Sequence, residues 1–324
     1  MGLEDWLKSE KSALFRDVML VRDAVKHIWE RPVHRHYTDH SLKHSERVIK
    51  KLDGLTEGIM SSSNPLSATE VFILLAAAYL HDIGMQDERQ KTDKEWIREH
   101  HHELTREMIF EYLEERGDFI ELGLPRRDVV IGECVARIAE AHRQVELNQD
   151  QFENVPHGKI TIRLRLLAAL LRFADELDID HQRVDMDMLK LMQVSSDSRL
   201  HWHLCDYVSA VQIENEYITI CYRFPRGYDH YARFVKPLVD RKIRAEFKEL
   251  EDIFRRNGVK AAISQRADVR YFDRLTPLSS EVEEAAKEQL ARLDQEVIER
   301  IYEGIEGILV PPSDPVDLEI VRGR

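Results

Sequence analysis

Apolar residues recur at spacings of three and four along most of the first 180 residues, which is the period of an amphipathic α-helix. The pattern predicts helices at residues 14–28 and 41–55. Ser67 and Glu70 have the spacing of a capping box, so a third helix should run over residues 68–81. This third segment is apolar on nearly every face, and we expect it to be buried in the middle of the fold.

The same period predicts three more helices before residue 198, at residues 93–116, 127–142 and 161–177. The pattern then changes, because short β-branched and aromatic runs begin to alternate with polar residues. These runs predict strands at residues 201–205, 207–213 and 217–224, with a turn at Glu214-Asn215-Glu216.

Helical periodicity returns at residues 231–256 and 279–308, and residues 259–263 could form one more strand. The expected fold is mainly α, or α+β overall: a helical bundle with a small antiparallel β-sheet and a C-terminal helical extension. We expect a helical domain at residues 1–198, with the sheet and the C-terminal helices at residues 199–324 packed against it.

The composition excludes several classes of protein. With a net charge of −13, the 324-residue chain has no overall basic field to attract duplex DNA. Its longest apolar run, residues 71–80, is about half the ~20 residues that a membrane span needs, and no secretory signal opens the sequence. We therefore expect a cytoplasmic protein without a membrane segment. The three scattered cysteines, Cys134, Cys205 and Cys221, are expected to be small core residues rather than a disulfide framework.

Ionisable residues interrupt the apolar faces of several predicted helices, namely His44, His81, Asp82, His142 and Asp175. Burying a lone carboxylate is costly unless a cation pairs with it. A metal ion is one such cation, and a mixture of imidazole and carboxylate ligands suits a transition metal. Taken singly, each residue has a plainer explanation as a hydrogen-bonded core residue, and Asp175 could simply pair with Arg172.

Three phrases of the sequence resemble those of the HD-domain superfamily of metal-dependent phosphohydrolases. In chain order they are His44-Ser-Glu-Arg-Val-Ile, Ala78-Tyr-Leu-His-Asp-Ile-Gly and Leu171-Arg-Phe-Ala-Asp-Glu-Leu-Asp. The resemblance covers residues 36–185 and implies that one metal ion is ligated by His44, His81, Asp82 and Asp175. It also implies that Asp82 bridges to a second ion. The remaining residues share a fainter similarity with HD proteins associated with Hsp90-like ATPases.

Two further phrases resemble the branch of that family with additional histidine ligands. The phrase from Arg98 to Thr105 implies a ligand at His101, with His102 as the alternative, because adjacent helical residues point about 100° apart and only one can face a given ion. The phrase Glu140-Ala-His implies a ligand at His142. We therefore expect a binuclear centre with two divalent ions from among Mn, Fe, Zn, Ni, Co and Mg, a transition metal being favoured.

The resemblance implies hydrolysis of a phosphoester in a nucleotide, a cyclic nucleotide or a short oligonucleotide by a metal-activated hydroxide. We do not expect cyclic-di-GMP to be the substrate. The Gly-Tyr-Pro phrase of the cyclic-di-GMP phosphodiesterase branch is missing after His142, and Met85 stands where that branch has a lysine. One alternative is a module that senses a nucleotide, or docks onto an ATPase partner, with little turnover; association with a second copy is open as well. Another is a purely structural helical domain.

Further groups are expected to bind substrate or move protons near the ligands. His40, one turn before His44, is a candidate catalytic residue, or alternatively a cap at the helix start. Arg98 is a candidate catalytic phosphate clamp, and Arg143 and Arg183 are candidate phosphate-binding residues. The alternative for each arginine is an ordinary surface position.

Some residues near these motifs are expected to have plainer roles. Lys43 and Arg47 flank His44 and should face solvent. Trp202, Tyr217 and Tyr222 could stack on a base, although aromatic residues in a small sheet more often form its core.

Overall fold

The computed structural model describes residues 1–30, 41–87, 94–116, 119–143, 145–192, 194–265 and 267–306. Within these ranges the helices are α1 (Leu3–Glu10), α2 (Ser12–Trp29), α3 (Leu42–Met60), α4 (Ala68–Leu80), α5 (Lys94–Leu113), α6 (Val129–Glu140), α7 (Leu164–Glu176), α8 (Met186–Leu191), α9 (Ser196–Asp206), α10 (Val235–Arg256) and α11 (Ser280–Glu306). The strands are β1 (Val155–His157), β2 (Ile160–Ile162), β3 (Val208–Glu214), β4 (Tyr217–Pro225), β5 (Ala262–Ile263) and β6 (Asp268–Phe272). The fold is mainly α, as predicted.

Helix α4 lies in the middle of the bundle, in contact with α1, α2, α3, α6 and α7. Every residue from Glu70 to Leu80 is buried, which explains why the helix has no polar face. The predicted capping box is confirmed: Ser67 accepts from the Glu70 backbone amide, and the Glu70 carboxylate accepts from the Ser67 amide. Arg163, just before α7, donates to the same carboxylate and so connects the starts of both helices.

Residues 68–86 are long and apolar enough to cross a membrane, judged by length and composition alone. However, 89% of the segment is buried inside the protein. A helix so enclosed has little surface left for lipid, and the segment therefore is the core helix of this fold. The cytoplasmic location stays a prediction.

The sheet formed by β3 to β6 is mixed rather than purely antiparallel. Strands β3 and β4 form the predicted hairpin, in which Asn215 and Glu216 have positive φ angles of 50° and 71°. Strands β5 and β6 both run parallel to β4, whereas the sequence predicts only one strand there. A small hairpin of β1 and β2 also lies between α6 and α7, where the sequence predicts no strand.

The predicted strand at residues 201–205 is wrong, because these residues belong to α9. The alternation of polar and apolar residues over so short a run could not separate a strand from a helix. Ser195 caps the helix by accepting from the Ser198 amide, and Trp202 packs with Leu189 and Met192. The predicted division after residue 198 falls inside α9, and one apolar core joins residues on both sides of it.

The turn after α4 is fixed tightly against α5. Thr105 accepts a hydrogen bond from the Gly84 amide at 2.9 Å and donates one to the carbonyl oxygen of His81 at 2.8 Å. A Cβ on Gly84 would lie 2.1 Å from the carbonyl oxygen of His101 and 2.7 Å from the Thr105 nitrogen. Only glycine therefore lets the two backbones approach this closely.

We predict that Gly84→Ala lowers the free energy of unfolding by about 3 kcal/mol, since the backbone of α5 must move to admit the methyl group. Chemical denaturation measures the change. Gly58→Ala is the matched control, because Gly58 lies in α3 and a methyl group added there would meet no atom within 4 Å. The control should gain about 0.5–1 kcal/mol. Equal stabilities for the two variants would contradict the close approach.

Candidate metal centre

His81 and Asp82 follow directly after α4, which ends at Leu80. Nδ1 of His81 lies 2.9 Å from the carbonyl oxygen of Ala78. Carbonyls in the last turn of a helix lack partners within the helix, so the ring satisfies one of them and is held in place. The opposite ring nitrogen, Nε2, lies 3.1 Å from Nε2 of His44 on α3.

The two carboxylate oxygens of Asp82 contact two different pairs of histidines. Oδ2 lies 3.2 Å from Nε2 of His81 and 3.3 Å from Nε2 of His44. Oδ1 lies 3.3 Å from Nε2 of His101 and 3.5 Å from Nε2 of His142. Asp82 is 4% exposed, so this buried carboxylate connects both pairs.

The first group contains His44, His81 and Asp175, whose potential ligand atoms all lie within 4.8 Å of one another. Asp175, at the end of α7, places Oδ1 3.1 Å from Nε2 of His44 and 3.8 Å from Nε2 of His81. Both imidazoles are fully buried, whereas the Asp175 side chain is 18% exposed. Solvent therefore reaches this group from the side of Asp175.

The second group contains Asp82, His101 and His142, again within 4.8 Å of one another. His101 comes from α5, and His142 follows the end of α6. The structure brings His101 rather than His102 into the group, as the spacing indicates. His102 lies beside it, with Nε2 3.9 Å from a carboxylate oxygen of Glu103.

Hydrogen bonding determines which nitrogen of each imidazole carries a proton. Nδ1 of His101 lies 2.7 Å from the carbonyl oxygen of Arg98, and Nδ1 of His142 lies 2.6 Å from that of Ala139. A carbonyl oxygen can only accept, so Nδ1 carries the proton in each ring, as it also does in His81. The Nε2 atoms of His101 and His142, 2.8 Å apart, then turn lone pairs toward each other and toward Asp82. Such a pair needs a cation, either a proton or a metal ion.

The electrostatics of the two groups differ. Burial lowers the pKa of His44, but contacts with Asp175, Asp178 and Asp82 outweigh burial and raise it to about 10. Burial, together with the neighbouring His101 and His81, lowers the pKa of His142 well below its usual value. A proton is thus favoured at His44 and disfavoured at His142.

The donor set fits divalent transition metals. Four imidazole nitrogens and two aspartates converge in a buried region, and this is the ligand chemistry of Zn, Mn, Fe, Ni and Co rather than of Ca. Within the part of the chain that the structure describes, the residues grouped so that they could hold an ion are the six predicted from the sequence: His44, His81, Asp82, His101, His142 and Asp175. Their roles as ligands stay a prediction, which this geometry supports.

Asp178 was missed in the sequence, although it stands only three residues after Asp175. It is fully buried, and its Oδ2 lies 2.6 Å from Nδ1 of His44. Arg47 donates through Nε to the same carboxylate at 2.9 Å. Burial raises the pKa of Asp178, but the bonds from His44 and the nearby guanidinium groups hold it well below its usual range.

The expectation that Arg47 faces solvent is therefore wrong, since the residue is only 8% exposed. Its position one turn after His44 turns the side chain toward Asp178, a partner 131 residues away that the local sequence does not reveal. Lys43 is exposed, as expected. The sequence signal available was the pair of carboxylates three residues apart in the phrase that ends α7.

The candidate substrate-binding residues lie in different surroundings. Arg183 is closest to the first group: its Nη1 donates to the Asp178 carbonyl at 2.8 Å and lies 4.0 Å from Oδ1 of Asp175. Arg98 and Arg143 have exposed side chains, and the backbone carbonyl of Arg98 is what holds His101. His40 lies outside the described residues.

Other residues considered in the sequence are part of the core. Arg172 does not pair with Asp175 and instead contacts Glu246 and Glu249. The three cysteines are buried and form no disulfide with one another, as expected. Of the aromatic residues considered for base stacking, Trp202 and Tyr222 are buried, whereas Tyr217 is 60% exposed at the hairpin.

Comparison with known proteins supplies the family. A model of the HD-CE family matches residues 34–256, more than half of the chain. A search of curated proteins found no significant match. The matched region contains both histidine and aspartate groups and continues through the sheet hairpin to the end of α10. The chain therefore belongs to the HD-CE family and carries an HD-type domain with groups suited to a metal ion.

Proposed function

We propose that this protein is a metal-dependent phosphohydrolase with a binuclear centre bridged by Asp82. The observation that carries the proposal is the division of the Asp82 oxygens, one toward each pair of imidazoles. His44, His81 and Asp175 would complete one site, and His101 and His142 the other. Family membership supports a hydrolase of the HD type.

Two divalent ions held by these residues would lower the pKa of a bound water molecule and polarise phosphoryl oxygens. The chain contributes a rigid arrangement, because each imidazole is fixed through its Nδ1. It also excludes water from most of the centre, since the side chains of the other five proposed ligands are at most 5% exposed and only that of Asp175 reaches 18%. A substrate would therefore approach past Asp175, where the nearby Arg183 guanidinium suits an anionic group.

We propose a nucleotide, a cyclic nucleotide or a short oligonucleotide as the substrate, with Arg183 as the principal phosphate-binding residue. Arg183 lies on the more exposed side of the first group, and its side chain is 12% exposed. A guanidinium with little water around it binds a phosphate more strongly than one at the surface. Arg98 and Arg143 would act only at the rim.

The decisive experiment combines metal analysis with a hydrolysis panel of nucleotides, cyclic nucleotides and dinucleotides. We predict that the wild type binds two divalent ions per chain and hydrolyses at least one class. Asp82→Asn should lose more than about a hundredfold in metal affinity, because even groups behind the ligands are worth 10–100-fold. Its hydrolysis should fall below detection.

Asp150→Asn is the control for Asp82→Asn, since Asp150 is exposed in the segment before β1. It should behave as the wild type does. Thermal unfolding establishes that both variants are folded. If the wild type binds two ions but hydrolyses nothing, a nucleotide-sensing or ATPase-docking module replaces the enzyme; if it binds no divalent metal, the proposed centre is wrong.

Adjacent histidines provide a test of the second ion. We predict that His101→Ala binds one ion per chain instead of two, because it removes a nitrogen from the second group. His102→Ala should retain two, since that side chain lies outside the group. Metal content after gel filtration gives the count, and a loss of one ion in both variants or in neither would contradict the assignment.

Arg183 and Arg143 allow the phosphate-binding role to be tested. We predict that Arg183→Gln raises KM for the hydrolysed substrate by about tenfold or more, the loss expected for a charge-assisted hydrogen bond. Arg143→Gln should change KM less than about threefold, because an exposed charge contributes little. Steady-state kinetics with matched metal content decides, and equal effects of the two substitutions would count against Arg183.

A further inference from the structure

The four imidazoles of the two groups are held in place in two different ways. His81, His101 and His142 each direct Nδ1 to a backbone carbonyl three residues earlier in the chain. His44 directs Nδ1 to the Asp178 carboxylate, which lies 134 residues away in sequence. Among these four rings, His44 is therefore the one that is oriented by a charged group.

Asp178 is itself held firmly. Arg47 donates to both of its oxygens, at 2.9 and 3.1 Å, and the side chains of Arg47 and Asp178 are 10% and 0% exposed. The Asp178 backbone carbonyl also accepts from Arg183. Arg47 thus holds the carboxylate and Arg183 holds the backbone of the same residue, while Oδ2 of Asp178 contacts His44.

We propose that Asp178 is a positioning residue that makes the His44 side of the centre the tighter of two unequal metal sites. A carboxylate behind an imidazole fixes its orientation and increases the electron donation of the opposite nitrogen. The site of His44, His81 and Asp175 also has a carboxylate of its own besides a share in Asp82. Among the described residues, the site of His101 and His142 has a carboxylate only through its share in Asp82.

The ions should therefore bind in order, the first at the His44 side and the second at the His101 side. The second ion is then the exchangeable one, whose occupancy depends on the metal concentration around the protein. This inference rests on the binuclear centre proposed above.

A titration of the metal-free, full-length protein with Co²⁺ tests the proposal, because Co²⁺ absorption reports ligand geometry as well as occupancy. For the wild type we expect two binding steps of different affinity. Asp178→Asn should weaken the first step about 10- to 100-fold and alter its absorption spectrum, with little change in the second. Mere loss of stability would reduce the folded fraction without altering the spectrum of the bound ion.

Asp180→Asn is the matched control, two residues along the same loop. Its carboxylate lies 3.9 Å from the Lys51 ammonium and caps the Gln182 amide, a bond that asparagine retains. It should leave both steps unchanged. If Asp178→Asn does not fold, Arg47→Met combined with Asp178→Asn removes both charges together and leaves no unpaired guanidinium in the interior.

The outcomes separate this inference from the proposed function. Wild-type affinity and spectrum in a folded Asp178 variant would overturn the positioning role while leaving the centre intact. Weakening of the second step alone would overturn the proposed order. Absence of Co²⁺ binding to the wild type would instead refute the metal centre, and with it this inference.

Discussion

The structure depends on burying the Asp82 carboxylate between four imidazoles. A carboxylate removed from water needs compensation, and here both oxygens are within 3.5 Å of imidazole nitrogens on opposite sides. The positions of the helices that carry these four imidazoles are therefore closely constrained around Asp82. Asp82 lies just after the end of α4, and the hydrogen bonds of Thr105 with Gly84 and His81 hold that end against α5. The apolar body of α4 provides the rigid support on which this placement relies.

The centre is polar only where the ligand atoms meet. Each histidine satisfies its outer nitrogen with an acceptor, so hydrogen bonds within the protein, rather than solvent, hold the rings in place. Three of the rings are oriented by a backbone carbonyl three residues earlier in the chain. The fourth, His44 near the beginning of α3, is oriented by the side chain of Asp178, which is 134 residues away in sequence. The first group thereby becomes dependent on the loop after α7, because Asp178 belongs to that loop.

The sequence predicted those parts of the fold that local periodicity determines. The bounds of α4 and its capping box followed from local spacing, whereas the six convergent residues followed from short phrases that resemble those of HD-domain proteins. Arg47 and Asp178 could not be predicted in the same way, since a long polar side chain on a helix looks solvent-facing until its partner is known. The prediction of a strand at residues 201–205 was wrong for a related reason. The alternation of polar and apolar residues there is brief, and the packing of Trp202 against α8 is a tertiary contact that the local sequence does not reveal.

The C-terminal sheet is connected to the candidate metal centre through one face of α3. His44, Arg47 and Lys51 follow each other at spacings of three and four along this face. Arg47 contacts Asp178, and Lys51 donates to the Val211 carbonyl of β3 at 2.8 Å. A change in the position of β3 would therefore alter the position of α3, the helix that carries the proposed ligand His44. The family match covers residues 34–256, so the HD-CE unit comprises the helices from α3 to α10 together with the hairpin of β3 and β4, and α1 and α2 lie outside it.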